Sequence, residues 1–163
     1  MRHPTRSVLA ALGVTAAAVA GIATWEGYRG DAYDDGVGVQ TIGWGTTAGV
    51  RPGDRIDPTR ALVRLQTEAD EHARALAECI GDVALAAHEW DAYVSWAYNV
   101  GVGAACRSTL VRKLQQMPPD YAGACAELLR WTRAGGREMR GLVLRRQAEY
   151  QRCIGETGSV ARR

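Results

Sequence analysis

Tyr33-Asp34-Asp35-Gly36-Val37-Gly38-Val39-Gln40-Thr41-Ile42-Gly43-Trp44-Gly45 is the stretch whose reading decides the architecture. Asp and Gly cluster at its start, as tight turns require. Val37, Val39, then Ile42 and Trp44 alternate with small or polar residues, the period-two pattern of a half-buried strand. The segment from Tyr28 to Thr47 therefore reads as a small antiparallel hairpin or three-stranded sheet. Everything after it reads as helix. Asp57-Pro58 supplies an N-cap followed by proline at the first helical position. Leu62, Leu65, Ala69, Leu76 and Ile80 then form an apolar stripe over a helix from 58 to about 80. Further helical patterns run from His88 to Val100, Ser108 to Gln116, Pro119 to Trp131 and Arg137 to Ile154. Gly101 and Gly103 interrupt the first of these, and Pro118-Pro119 separates the middle two. Gly135-Gly136 reads as a helix-connecting turn. The fold class expected is α+β, a small sheet near the N-terminus with a mainly helical C-terminal lobe.

Before the sheet lie nineteen residues without charge, Ser7 to Trp25, running directly into Glu26. At about 1.5 Å rise per residue the run approaches the roughly 30 Å hydrocarbon thickness of a bilayer. It is weakly apolar: seven alanines, five Gly, Ser or Thr, and six large aliphatics. Those six contribute about −0.3 to −0.6 kcal/mol each to insertion. Dragging Arg2, Arg6 and the terminal amine outward opposes a membrane potential at about 2.3 kcal/mol per charge per 100 mV. The two terms are comparable, so the composition suits a reversible anchor that escapes when the potential collapses. A cleaved signal peptide, with the small-x-small sequence Ala18-Val19-Ala20, and a permanent anchor or core helix are the other readings. The basic flank stays cytoplasmic, so the remainder faces outward. The expected division is an anchor segment, 1–25, and one catalytic domain, 26–163.

The net charge of +2 is too small to argue for a nucleic-acid partner, and the arginines alternate with acids along helical faces. Four cysteines without a C-x-x-C motif fit disulfides in an exported domain rather than zinc. Three pairings are possible, and spacing does not choose among them. No metal and no cofactor are expected. His72 and His88 read as surface residues on helices.

The chemistry-bearing candidates are Glu26, Asp35 and Thr41. Two carboxyls on a short β-rich stretch are what glycoside hydrolysis needs: one protonated to release the leaving oxygen, one ionised to activate water. A Thr hydroxyl donates and accepts, so it can orient that water. On spacing alone Glu26 also reads as a helix-end charge, Asp34-Asp35-Gly36 as a turn and Thr41 as a strand former.

The spacing Glu26-x8-Asp35-x5-Thr41 resembles the Glu/Asp/Thr pattern of phage-type lysozymes, glycoside hydrolase family 24. The flanks match in order: Thr41-Ile42-Gly43-Trp44-Gly45, Ala97-Tyr98-Asn99-Val100-Gly101-Val102-Gly103, Arg107-Ser108-Thr109-Leu110, Trp131-Thr132-Arg133-Ala134-Gly135-Gly136, Gly141-Leu142 and Arg145-Arg146. They cover nearly all of residues 25–155, and the resemblance is nearest to endolysins of the signal-anchor-release type. It implies a lysozyme fold and inverting cleavage of the β-1,4 bond between N-acetylmuramic acid and N-acetylglucosamine in peptidoglycan. Glu26 would be the general acid, Asp35 the base or electrostatic partner, and Thr41 the residue positioning water. Tyr33, Trp44, Gly135, Gly136 and Arg137 are the candidates for substrate contact. The resemblance suggests disulfides Cys79–Cys106 and Cys125–Cys153. It also implies a monomer tethered to the host inner membrane facing the periplasm, later soluble there. No cysteine lies between residues 1 and 78, so membrane release, not a thiol switch in the site, is left as the control.

Overall fold

The computed structural model describes residues 5–8, 13–36 and 38–156. Arg2, residues 9–12 of the N-terminal apolar run and Val37 of the hairpin pattern lie outside the described set.

The run does not continue as one long helix here. Thr15 caps α1, Ala16–Glu26, its side chain accepting from the Ala18 N–H at 3.1 Å. Gly27, at φ 70°, ends the helix immediately after Glu26. Eleven residues rise only about 16 Å, and among the described residues no helix is long and apolar enough to cross a membrane. Ala18, Val19 and Ile22 form the buried face. Val19 and Ile22 pack with Leu65, Ala69, Trp44 and Tyr98. The 25/26 boundary thus falls inside α1, whose apolar face belongs to the same fold as the rest.

β1, Arg29–Asp34, and β2, Gln40–Gly43, pair antiparallel with Tyr33 opposite Thr41 and Asp34 opposite Gln40. An extended segment borders the other edge of β1 through Ala32 N–H to Asp54 O at 2.9 Å and Ile56 N–H to Gly30 O at 2.9 Å. The two-stranded hairpin is therefore the sheet, with residues 54–56 as a fringe rather than a full third strand.

α2, Pro58–Ile80, has the expected bounds, with Asp57 accepting from Arg60 N–H at 3.0 Å and Gly81 ending it. Its core stripe is Ala61, Leu65, Ala69, Ala73, Leu76 and Ile80, while Leu62 is exposed. The reason is a close approach: a Cβ on Gly43 would lie 3.0 Å from Ala61 Cβ, a space Leu does not fit. α3, Ala87–Val100, is the central helix, with every residue from Glu89 to Ala97 buried. It packs on α1, α2 and α7. Gly101, at φ 83°, stops α3, and a short α4, Val102–Cys106, follows.

α5 spans Thr109–Leu114 and α6 spans Tyr121–Glu127, with a 3-10 turn at Leu128–Arg130. Then comes a difference from the sequence reading. Arg133–Ala134 and Arg137–Glu138 form a second hairpin, β3 and β4, and α7 begins only at Arg140, ending at Cys153. Gly135 and Gly136 are both at positive φ, 57° and 76°, the requirement of a type I′ turn. The Gly-Gly pair is a hairpin turn, and Arg137 is on a strand, not a helix.

Disulfides join Cys79 to Cys106 and Cys125 to Cys153. They tie the ends of α2 and α7 to α4 and α6, each by about 2–4 kcal/mol through restriction of the unfolded chain.

Candidate active site

Glu26 owes its position to α1. The buried side of that helix fixes its rotation, and Gly27 turns the chain away one residue later. The carboxyl is partly buried and Oε1 accepts from Arg145 Nη1 at 2.7 Å. Arg145, on the second turn of α7, is buried. Its Nε donates to Glu149 Oε1 at 3.2 Å and its Nη2 to Ser95 O at 3.2 Å. Glu149 Oε1 also accepts from Ser95 Oγ at 2.8 Å. Arg146, fully buried, donates from Nη2 to Asn99 Oδ1 at 3.0 Å and to Glu149 at 3.2 Å, and its Nε lies 2.9 Å from Glu149 Oε2 as a charge contact. Two carboxyl groups and two guanidiniums thus share one network. Burial brings Arg146 down to about 10, against the pull of Glu149. Burial likewise pushes Glu149 up, against Arg146 and Arg145. The geometry aims one guanidinium nitrogen at the Glu26 carboxyl and leaves its second oxygen for other work.

That second oxygen faces the turn after β2. A Cβ on Gly45 would lie 3.5 Å from Glu26 Oε2. Gly45, at φ 89°, has no side chain to cover the carboxyl. The turn is closed by Ile42 and Thr46, which exchange backbone hydrogen bonds of 2.9 and 3.0 Å. Thr46 is buried and its Oγ1 donates to Glu68 Oε2 at 3.1 Å. Tyr98 OH donates to the same oxygen at 3.0 Å.

Thr41 is buried on β2, Oγ1 donating to Val39 O at 3.3 Å. Asp35 sits in the exposed turn between the strands. Its N–H donates to Val39 O, and Oδ1 accepts from Val39 N–H, both at 3.1 Å. Asp34 braces the same turn by accepting from Gly36 N–H at 2.7 Å. One hairpin therefore carries Asp35, Thr41 and the Gly45 that touches Glu26, with β2 running between the Asp35 turn and the Gly45 turn.

The other candidates fall into two groups. Tyr33 is opposite Thr41, half-buried, with the Arg29 guanidinium 4.5 Å above its ring. Trp44 is half-buried against Tyr28, ring centroids 5.1 Å apart, and backs onto the Val19–Ile22 cluster. Gly135, Gly136 and Arg137 are exposed on the β3–β4 hairpin, two residues before α7. Sequence reading gave no role to Arg145, Glu149, Ser95, Glu68 or Tyr98. A signal existed for two of them: Arg145 and Arg146 stand four and three residues before Glu149, the spacing of paired charges on one helix face. Among the described residues no cluster of His, Cys, Asp or Glu is arranged to hold a metal.

Comparison with known proteins places this geometry in a family context. The profile described as Phage lysozyme matches residues 23–149. The chain is 37% identical over 130 residues to the SAR-endolysin of bacteriophage PS119, covering 79% of this chain and 76% of that protein. The endolysin of Escherichia coli O157:H7 phage FAHEc1 is similar in structure, with TM-score 0.79 and 25% identity over 91% of this chain and 98% of that one. The active form of the P1 phage endolysin follows the same backbone at TM-score 0.76, 23% identity, covering 93% and 90% of the two chains. Its secreted inactive form gives 0.56 at 18% identity, covering 90% and 99%.

Proposed function

The chain belongs to the phage lysozyme family, and from that premise we propose that Glu26, Asp35 and Thr41 cleave the β-1,4 bond between N-acetylmuramic acid and N-acetylglucosamine. The protein is an endolysin, a glycoside hydrolase that lyses peptidoglycan. In the proposed step Glu26 gives its proton to the glycosidic oxygen as the C–O bond breaks. Asp35 takes a proton from water as that water attacks from the opposite face, and Thr41 orients it. The sugar configuration inverts. The observation that carries this reading is the setting of Glu26: Arg145 on Oε1 fixes the carboxyl, and Oε2 lies beside the side-chain-free Gly45, in the turn that follows the strand holding Thr41. Arg137 and the Gly135-Gly136 turn offer an exposed cation and open backbone to substrate, and Tyr33 an aromatic face beside Thr41. Hydrolysis in oxygen-18 water tests the chemistry. One heavy oxygen on each new muramic-acid reducing end, formed first as the α-anomer, is expected. An anhydro-muramic product contradicts hydrolysis, and an initial β-anomer contradicts inversion.

The same reading includes control by the membrane. The segment Ser7–Trp25 serves as a releasable inner-membrane anchor that holds the domain on the periplasmic face. On release its second half folds as α1 onto the domain. Three features support this. Ala18, Val19 and Ile22 are buried against the domain. Thr15 Oγ1 donates to Asp91 Oδ2 at 2.7 Å, and Arg6 donates twice to Glu89, at 3.1 and 2.7 Å. The backbone is also nearer the active than the inactive P1 endolysin. A helix spanning the bilayer cannot make those contacts, so the anchored enzyme would lack the seat that positions Glu26.

A further inference from the structure

Glu68 joins three elements at one atom. It lies on the third turn of α2, and its Oε2 accepts from Thr46, just past β2, at 3.1 Å and from Tyr98, on the last turn of α3, at 3.0 Å. Two shared hydroxyl donors fix the direction of a carboxylate oxygen far better than one. The Glu68 main chain is held as well: its carbonyl lies 2.8 Å from His72 Nδ1, and the His72 ring packs against Tyr98, centroids 5.0 Å apart and planes tilted by 41°. His72 is thus a half-buried brace rather than a surface residue. Burial, then the charge of Glu68, push the Tyr98 hydroxyl above the ordinary phenol range, so Tyr98 remains a donor. Charges on Glu26 and Arg145 also act on that hydroxyl, more weakly than Glu68.

What the node holds is the Gly43–Thr46 turn. A Cβ on Gly43 would lie 3.0 Å from Ala61 Cβ of α2, and one on Gly45 would lie 3.5 Å from Glu26 Oε2, so the turn is close to both. Thr46 is the residue where this turn is pinned to the helical lobe, because its backbone closes the turn on Ile42 while its side chain reaches Glu68. We propose that Glu68 is a positioning residue for the glycosidase reaction: its Oε2, by holding Thr46 and Tyr98 together, keeps the Gly43–Thr46 turn seated against the Glu26 carboxyl. The inference rests on Glu26 being the acid. What it adds is that an acceptor atom on α2, outside the Glu26–Asp35–Thr41 set, sets the rate.

The test is steady-state kinetics on solubilised peptidoglycan glycan strands, with unfolding midpoints measured alongside. Glu68→Ala is expected to lower kcat about 10–100-fold with KM within about twofold, since a displacement near 1 Å costs that order in rate. Glu68→Gln keeps an acceptor oxygen for both hydroxyls and is expected to recover kcat to within about threefold of wild type. Should Glu68→Ala fail to fold, Thr46→Val removes one donor at constant shape, and a fall in kcat of about fivefold or more at unchanged KM is expected. A wild-type kcat in Glu68→Ala or in folded Thr46→Val overturns the proposal. So does Glu68→Gln falling as far as Glu68→Ala, which would make the charge and not the acceptor the working feature. Glu26→Gln separates the two readings. If it is active, the assignment of the acid fails. If it is inactive while Glu68→Ala turns over normally, only the role of Glu68 fails.

Discussion

Arg145 is the residue on which the site turns. It spends one nitrogen on Glu26, one on Glu149 and one on the Ser95 carbonyl, and only 5% of its side chain is exposed. Removing one member of a buried ion network leaves the others unpaired, which costs about 3–5 kcal/mol. Arg145→Ala is therefore expected to lower stability by that amount in urea unfolding and to lose lytic activity. Arg145→Lys keeps the charge without the three-way fork and is expected to fall between. Wild-type stability in Arg145→Ala would show the network to be ornamental. The role was invisible in sequence because the Glu26 contact spans 119 positions. The spacing of Arg145, Arg146 and Glu149 signals a pairing on α7, but says nothing of what faces that helix. Asp120 is a simpler case. Lys113 and then the Gly123 N–H hold its carboxylate below the ordinary range. A lowered native pKa adds stability above the unfolded value, near 3.8, and that stability is lost as pH falls through the native one. The acid limb of a stability-against-pH curve should flatten in Asp120→Asn, and an unchanged limb would contradict the sign.

At the scale of elements, α1 carries both the second half of the apolar run and Glu26. Ile22 is fully buried, one turn before Glu26, and Val19 lies beside it. Ile22→Ala is expected to cost about 2–5 kcal/mol and to reduce lysis beyond the loss of folded protein, because α1 loses the grip that sets its rotation. Turnover per folded molecule, measured with an unfolding control, checks this; unaltered turnover contradicts it. The sequence made α2 legible to the residue, since a cap, a proline and a long stripe all agreed, and the helical pattern from His88 to Val100 gave α3 to within one residue. It misled at Leu62, where periodicity could not know that Ala61 must meet Gly43. The β3–β4 hairpin was hidden too. Strands of two residues carry no alternation to read, so from sequence the Gly-Gly pair reads as a turn between helices and Arg137 as the start of one.

Taken as a whole molecule, the chain would, on the release reading proposed above, use one segment in two environments, with a composition that compromises between them. An alanine-rich helix inserts weakly, yet its small face packs closely on α2 and α3. Ala16, Ala17 and Thr24 are exposed in the folded enzyme, so larger side chains there do not disturb the domain. Three leucines at these sites add about 1–2 kcal/mol toward insertion. The triple variant is expected to remain in the membrane fraction of expressing cells without lysis after the potential is collapsed, while wild type moves to the soluble fraction and lyses. A soluble, lytic triple variant contradicts control by release. The α+β class and the endolysin family were legible from sequence because several motifs fall in order along the chain, and the same motifs underlie the proposal of Glu26, Asp35 and Thr41. The clasp on Glu89 and Asp91 was not, since it joins the N-terminal segment to the middle of α3 through contacts that no local pattern records.

The central claim is that the Glu26 carboxyl supplies the proton. Clearing of purified peptidoglycan sacculi by equal amounts of folded wild type and Glu26→Gln, followed by turbidity, tests it most directly. A fall of about 100-fold or more in the Glu26→Gln rate, with binding to sacculi retained, is the expected result for loss of a general acid. Clearing at the wild-type rate would contradict the account.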